Sequence, residues 1–149
     1  MTLSREAKLI SGITILIVPT IMYGGWMLLG ILTHGTLGAA ADDLRLDETQ
    51  WALWRAGHAH AGVWTILSLV IQILLDAARL SPGLKWLARI GAPVAAIAVS
   101  GGFFGVAFAD SFRWLLYSGA ALLLITLVLT GVGLLRNVRP GNASGSPVA

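Results

Sequence analysis

The chain has 149 residues, 56% of them hydrophobic and only 11% charged, with a mean hydropathy of +0.81. Soluble domains carry about a quarter charged residues, so this composition excludes one and points to a membrane protein. A net charge of +3 argues against a nucleic-acid-binding surface, and the absence of cysteine excludes disulfides, thiolate metal sites, iron–sulfur clusters and cysteine nucleophiles.

In chain order, the first apolar element comes at once. No charge falls between Lys8 and Asp42, and residues 9–33 are mostly Ile, Leu, Val, Met and Gly. About 20 apolar residues cross a bilayer, so this is a span. A cleaved signal peptide would be shorter, and Gly24, Gly25 and Gly30 are spread through the stretch rather than forming a cleavage box. Residues 35–50 form the one long loop, acidic and suited to a lid or a partner contact. Further spans are predicted at about 54–75, 90–109 and 114–135. Leu80-Ser81-Pro82-Gly83 reads as a turn. The link between the third and fourth spans is so short that those helices must be antiparallel neighbours. Nothing alternates like a barrel strand, so the expected fold is all-α: four transmembrane helices within residues 1–139. Residues 140–149 read as a disordered tail, and Asn142-Ala143-Ser144 within it fits a glycosylation pattern on the wrong side of the membrane.

The basic residues set the orientation. Arg5, Lys8, Arg79, Lys85, Arg89, Arg136 and Arg139 fall on one side, against Arg45, Arg55 and Arg113 on the other. The positive-inside rule puts both termini in the cytoplasm of a multi-pass protein of the cell membrane. Asp42, Asp43, Asp47, Glu48 and Asp110 collect outside. Trp51, Trp54, Trp114 and Tyr117 make an outer aromatic belt, and Trp86 anchors the inner one.

Small residues let membrane helices approach closely. Ala92, Ala96 and Ser100, followed by Gly101, Gly102 and Gly105, are read as packing notches; the alternative is that Gly101 and Gly102 make room for a flat ligand. His58, Gly62, Thr65, Gln72 and Asp76 form a polar stripe that should face the bundle interior. Asp76 is expected at the inner interface near Arg79. His60 projects about 200° away from His58, on a face shared with Ala56, Val63, Trp64, Leu67 and Ile71. Unless something covers that face, an ionisable group points at lipid. A neighbouring subunit, a cofactor or both are therefore expected.

Three readings of the histidines stay open. Each can hydrogen-bond a backbone carbonyl or an acid near the interface. His34, His58 and His60 could hold zinc or copper with a loop acid, although residues two apart on a helix diverge. Or one imidazole could carry haem, which needs a histidine nitrogen, a flat apolar slot and no cysteine.

Trp54-Arg55-Ala56-Gly57-His58-Ala59-His60-Ala61-Gly62 resembles the W-x-R-A-H-S-G stretch that opens the second span of the styrene oxide isomerases. Tyr23-Gly24-Gly25-Trp26-Met27 is similar to their glycine-rich G-x-W-M stretch in span one. Ser100-Gly101-Gly102-Phe103-Phe104 sits where they have S-N-V-G-F-Y in span three. The likeness is collinear over nearly the whole chain, through short motifs. It implies a trimeric four-helix membrane enzyme with ferric haem b held by a histidine where subunits meet. The hydrophobic substrate would be an aryl epoxide, opened by the iron as a Lewis acid and converted by a 1,2-hydride shift to an aldehyde. The family's ligating histidine maps onto His60 through A-H-x-G, or onto His58 through its distance from Trp54; the apolar face favours His60. Gly62, Gly101, Gly102 and Phe103 would surround the haem with these histidines, and Phe104, Ser100 and Trp64 would stand at the reacting side, with Phe108 completing an apolar lining. The family's pocket tyrosine and asparagine are replaced here by Phe104 and by Ile66 or Trp64, leaving Tyr23, Tyr117, Ser100 or Thr65 to supply polar contacts. Two alternatives remain. One is a non-catalytic haem subunit for electron transfer, with His60 and His34 on one iron; the other is a small transporter using His58, Thr65, Gln72 and Asp76 as an ion path.

Overall fold

A computed structural model of the chain describes residues 2–33, 46–136 and 138. Among them are four long helices: α1 (Arg5–Leu32), α2 (Glu48–Ala77), α3 (Pro82–Val106) and α4 (Arg113–Leu135), with a single 3-10 turn at Asp110–Phe112 before α4. All four are long and apolar enough to cross a bilayer, so the fold is an all-α membrane bundle. His34, the loop through Arg45, Arg139 and the tail 140–149 lie outside the described residues.

The helices outrun the apolar stretches that reveal them, because polar residues cap them. α1 starts at Ser4, whose Oγ accepts from the Ala7 N–H at 3.1 Å. α2 begins at Glu48, so the acidic loop ends earlier than residue 50. Asp47 and Gln50 form a reciprocal capping box, each side chain accepting from the other's backbone N–H at 2.8 Å. Gln50 also donates to the Ala107 carbonyl at 2.6 Å, tying the start of α2 to the end of α3. Asp47→Ala is expected to cost about 1 kcal/mol of stability, read as a lowered thermal midpoint in micelles. α3 begins at Pro82, so the expected turn Leu80–Gly83 is half helix: proline at the first helical position loses no hydrogen bond. That helix stops at Val106, three residues short of the predicted span end.

α3 is the centre of the bundle. Its interface with α4 is the most extensive, as the short connection requires, and α2 packs on it nearly as closely. α1 leans mainly on α2 and is little buried, leaving Leu16, Met22, Tyr23 and Trp26 exposed for lipid. The tight α3–α4 contact depends on Gly102 and Gly119. A Cβ on Gly102 would come within 2.7 Å of the Leu116 backbone, and one on Gly119 within 2.8 Å of the Val99 nitrogen.

At the terminal end of the bundle, Ile71, Leu75, Ala78, Ala88 and Ala92 form the apolar core. A buried polar node adjoins it. Pro93 has no N–H, so the Arg89 carbonyl lacks its helical donor; Gln72 Nε2 supplies one from α2 at 3.0 Å. The Arg89 guanidinium, only 4% exposed, donates to the Gln72 carbonyl at 3.1 Å, to Ser4 Oγ at 3.2 Å and to the Asp76 carboxylate. Asp76 also accepts from the Ser4 N–H at 2.9 Å. Asp76 thus pairs with Arg89 on α3, while Arg79 has an exposed side chain and its N–H donates to the Gly133 carbonyl at 2.7 Å. A single guanidinium fastens three helices.

Candidate functional site

His58 and His60 leave α2 on different sides. His58 turns to α1, where its ring lies over Gly24 and Gly25: a Cβ on Gly25 would stand 2.8 Å from Nε2. The glycine pair is the recess that admits the imidazole. His60 stays on the side of Trp64 and meets α3 through Phe103, ring centroids 4.7 Å apart, with Trp64 at 5.8 Å. Phe103 therefore covers part of the face expected to be bare, and His60 is half-buried rather than fully turned to lipid. Val63, one turn along the same face, is 58% exposed.

The His60 ring is fixed by one bond. Nδ1 lies 2.7 Å from the Ala56 carbonyl. A carbonyl only accepts, so Nδ1 carries the proton and Nε2 keeps a free lone pair. Nε2 makes no hydrogen bond among the described residues. Metal-bound histidines almost always donate their second ring N–H in this way, which sets both tautomer and orientation. With aromatic rings on two sides and an apolar, partly open face, the residues around His60 fit a histidine that could hold a haem group. His58, wedged against α1, has no comparable bond among the described residues.

The other sequence-predicted residues scatter. Adjacent residues on a helix point about 100° apart, so only Phe103 of the pair reaches His60. Phe104 instead packs into the notch at Gly57 and against Trp54, with centroids 5.9 Å apart. Phe108 also meets Trp54 edge-on, with centroids 5.7 Å apart. Gly102 is consumed by α4 and leaves no room for a flat ligand, while a Cβ on Gly62 would meet nothing within 4 Å. Tyr23 and Tyr117 are exposed. Ser100 and Gly101 line a separate cavity of about 220 Å³ between α1, α2 and α3, together with Thr65 and Ser68.

The chain matches no protein-family profile, no curated protein and no solved structure.

The polar stripe of α2 is also redrawn. Thr65 and Gln72 are buried as expected, but Ser68 belongs to the stripe and Gly62 does not. Seven-residue spacing from Ala61 to Ser68 could have shown this. Gln72 and Asp76 are held in the Arg89 node, which gives them a structural task. Among the described residues, no three His, Asp or Glu side chains converge as a metal site.

Proposed function

We propose that the chain is a haem b-dependent membrane isomerase that converts a lipophilic aryl epoxide to an aldehyde, acting as a homo-oligomer, a trimer by resemblance. The observation that carries this reading is the His60 ring, anchored through Nδ1 to the Ala56 carbonyl, with an Nε2 that makes no hydrogen bond among the described residues and lies beside Phe103 and Trp64. When bound, ferric haem would supply a Lewis acid that polarises the epoxide oxygen and eases ring opening before the 1,2-hydride shift.

The chain's own residues have simpler duties. Ala56 holds the imidazole tautomer, and His60 Nε2 would hold the haem iron. Phe103 and Trp64 exclude water from a developing cation. The partly open face carrying Val63 leaves room for a neighbouring protomer to close the site, which agrees with the collinear motifs in spans one, two and three. A substrate soluble in lipid reaches this face through the membrane.

The purified chain supplied with hemin should show a Soret band. His60→Ala should abolish it, whereas His58→Ala should retain it. Membranes containing the loaded protein should convert styrene oxide to phenylacetaldehyde. A colourless preparation, or haem lost in His58→Ala but kept in His60→Ala, overturns the assignment. A six-coordinate low-spin spectrum without conversion would favour the electron-transfer subunit instead.

A further inference from the structure

α1 leans mainly on α2 and touches α3 little, which leaves a groove between α1 and α3 with α2 as its floor. Two recesses follow one another along it. The first, about 550 Å³, lies where both helices begin and has Glu6, Lys85, Trp86 and Arg89 in its wall. The second, about 220 Å³, comes further along and is almost wholly apolar, with Ile17, Pro93, Ala96 and Ile97 among its residues.

Helical spacing stacks the two. Lys85, Trp86, Arg89, Pro93, Ala96 and Ile97 fall at steps that keep them on one face of α3, and Glu6, Thr14, Ile17 and Ile21 do the same on α1. Trp86 to Ile97 covers about 16 Å of helix. That is half of a hydrocarbon core about 30 Å thick, or one leaflet. Trp86 is 42% exposed beside the polar recess, as a tryptophan at headgroup depth should be. Ile97 is 60% exposed beside the apolar one, so the groove opens to lipid there. A polar recess at one end and an apolar one along the same face are the complement of an amphiphile.

The charges in the first recess define the headgroup. Arg89 and Asp76 are spent on each other. Lys85 and Glu6 remain: both are half-buried in its wall, and neither side chain makes an ion pair or hydrogen bond among the described residues. One unpaired cation and one unpaired carboxylate match a zwitterion. A phosphate diester suits the lysine ammonium, and a primary ammonium can donate to the glutamate. An anionic lipid would set like charge against Glu6, and a choline headgroup has no N–H to donate. A soluble phosphate would gain nothing from the apolar recess.

We propose that the groove binds one phosphatidylethanolamine molecule, its phosphate at Lys85, its ammonium at Glu6 and an acyl chain along Ile17, Ala96 and Ile97. The site is independent of haem and goes beyond the isomerase reading.

The test is native mass spectrometry of the full, delipidated chain in mild micelles. The probes are phosphatidylethanolamine, phosphatidylglycerol and phosphatidylcholine with identical chains, and phosphorylethanolamine, which has none. Phosphatidylethanolamine should bind saturably at one per chain, the other two lipids at least about fivefold more weakly, and phosphorylethanolamine not at all. Lys85→Ala should weaken phosphatidylethanolamine about tenfold. Glu6→Gln should erase its preference over phosphatidylglycerol. Ile17→Trp and Ala96→Leu fill the apolar recess from two helices, and either, if helical by circular dichroism, should weaken all three lipids while keeping their order. Arg79→Ala and His60→Ala should bind as wild type does, which separates the site from general basic charge and from the haem assignment. The proposal is overturned by a wild type without saturable binding, by equal affinity for the three lipids, or by phosphorylethanolamine binding as tightly as the lipid. Unchanged selectivity in Glu6→Gln, unchanged affinity in Lys85→Ala, or loss in His60→Ala overturns it too.

Discussion

Replacing Arg89 with Met is expected to destabilise the bundle by about 3–5 kcal/mol, because it strands the Asp76 carboxylate in a buried setting. The pair is largely enclosed, with side chains 4% and 12% exposed at the wall of a polar pocket, and no other cation is bonded to Asp76 among the described residues. The loss is larger than the pair's net contribution, since removing both charges together avoids most of it. Arg89→Met/Asp76→Leu should therefore recover much of the deficit. Ser4→Ala should cost about 1 kcal/mol through its α1 cap and its bond to Arg89. Arg79→Ala, on an exposed side chain, should stay within about 0.5 kcal/mol of wild type. Denaturant unfolding in mild micelles, followed by helical circular dichroism, ranks all four. A single Arg89→Met variant as stable as Arg79→Ala would mean that water reaches the pair and screens it.

The same node shows where reading a sequence stops. Spans were legible because long runs without charge have one cheap solution in a bilayer, and the short link after Val106 forced α3 and α4 together. Arg89 was counted only as one basic residue among seven on its side. Its burial depends on Asp76 from another helix, and on Pro93 exposing a carbonyl that Gln72 then claims. Proline and glutamine at those positions are readable; their meeting is not. The start of α2 was within reach, since Asp47 and Gln50 are spaced as a capping box. An apolar window simply gives such polar turns no weight.

The candidate site divides the same way. His58 and His60 had to diverge on any regular helix, and the Ala56 carbonyl sits four residues before His60, where helix geometry offers it. Which helix each ring meets was set by packing. That is why Phe103 reaches His60 while Phe104 fills the notch at Gly57, although the sequence offers both equally. Ser68 and Ser100 lie on separate helices with no motif joining them. Their shared cavity exists only once α1 closes over α2 and α3.

Neighbouring glycines on α3 separate helix contact from open space. Gly102→Ala is expected to destabilise the bundle by about 1–3 kcal/mol, because its Cβ would press on the Leu116 backbone at 2.7 Å and push α4 away. No side-chain rotation relieves a clash with backbone. Gly101→Ala meets only Leu115 Cδ2, at 3.9 Å, an ordinary contact. It should be neutral or gain up to about 1 kcal/mol, the usual advantage of alanine over glycine inside a helix. Gly62→Ala, with nothing within 4 Å, should behave like Gly101→Ala. The three differ by one methyl group at helical positions, so the unfolding midpoints isolate the local space. Equal midpoints for Gly101→Ala and Gly102→Ala would show that α3 and α4 lie farther apart than described, and that Gly102 is free to face a ligand after all. A midpoint lowered only at Gly102 ties that glycine to α4.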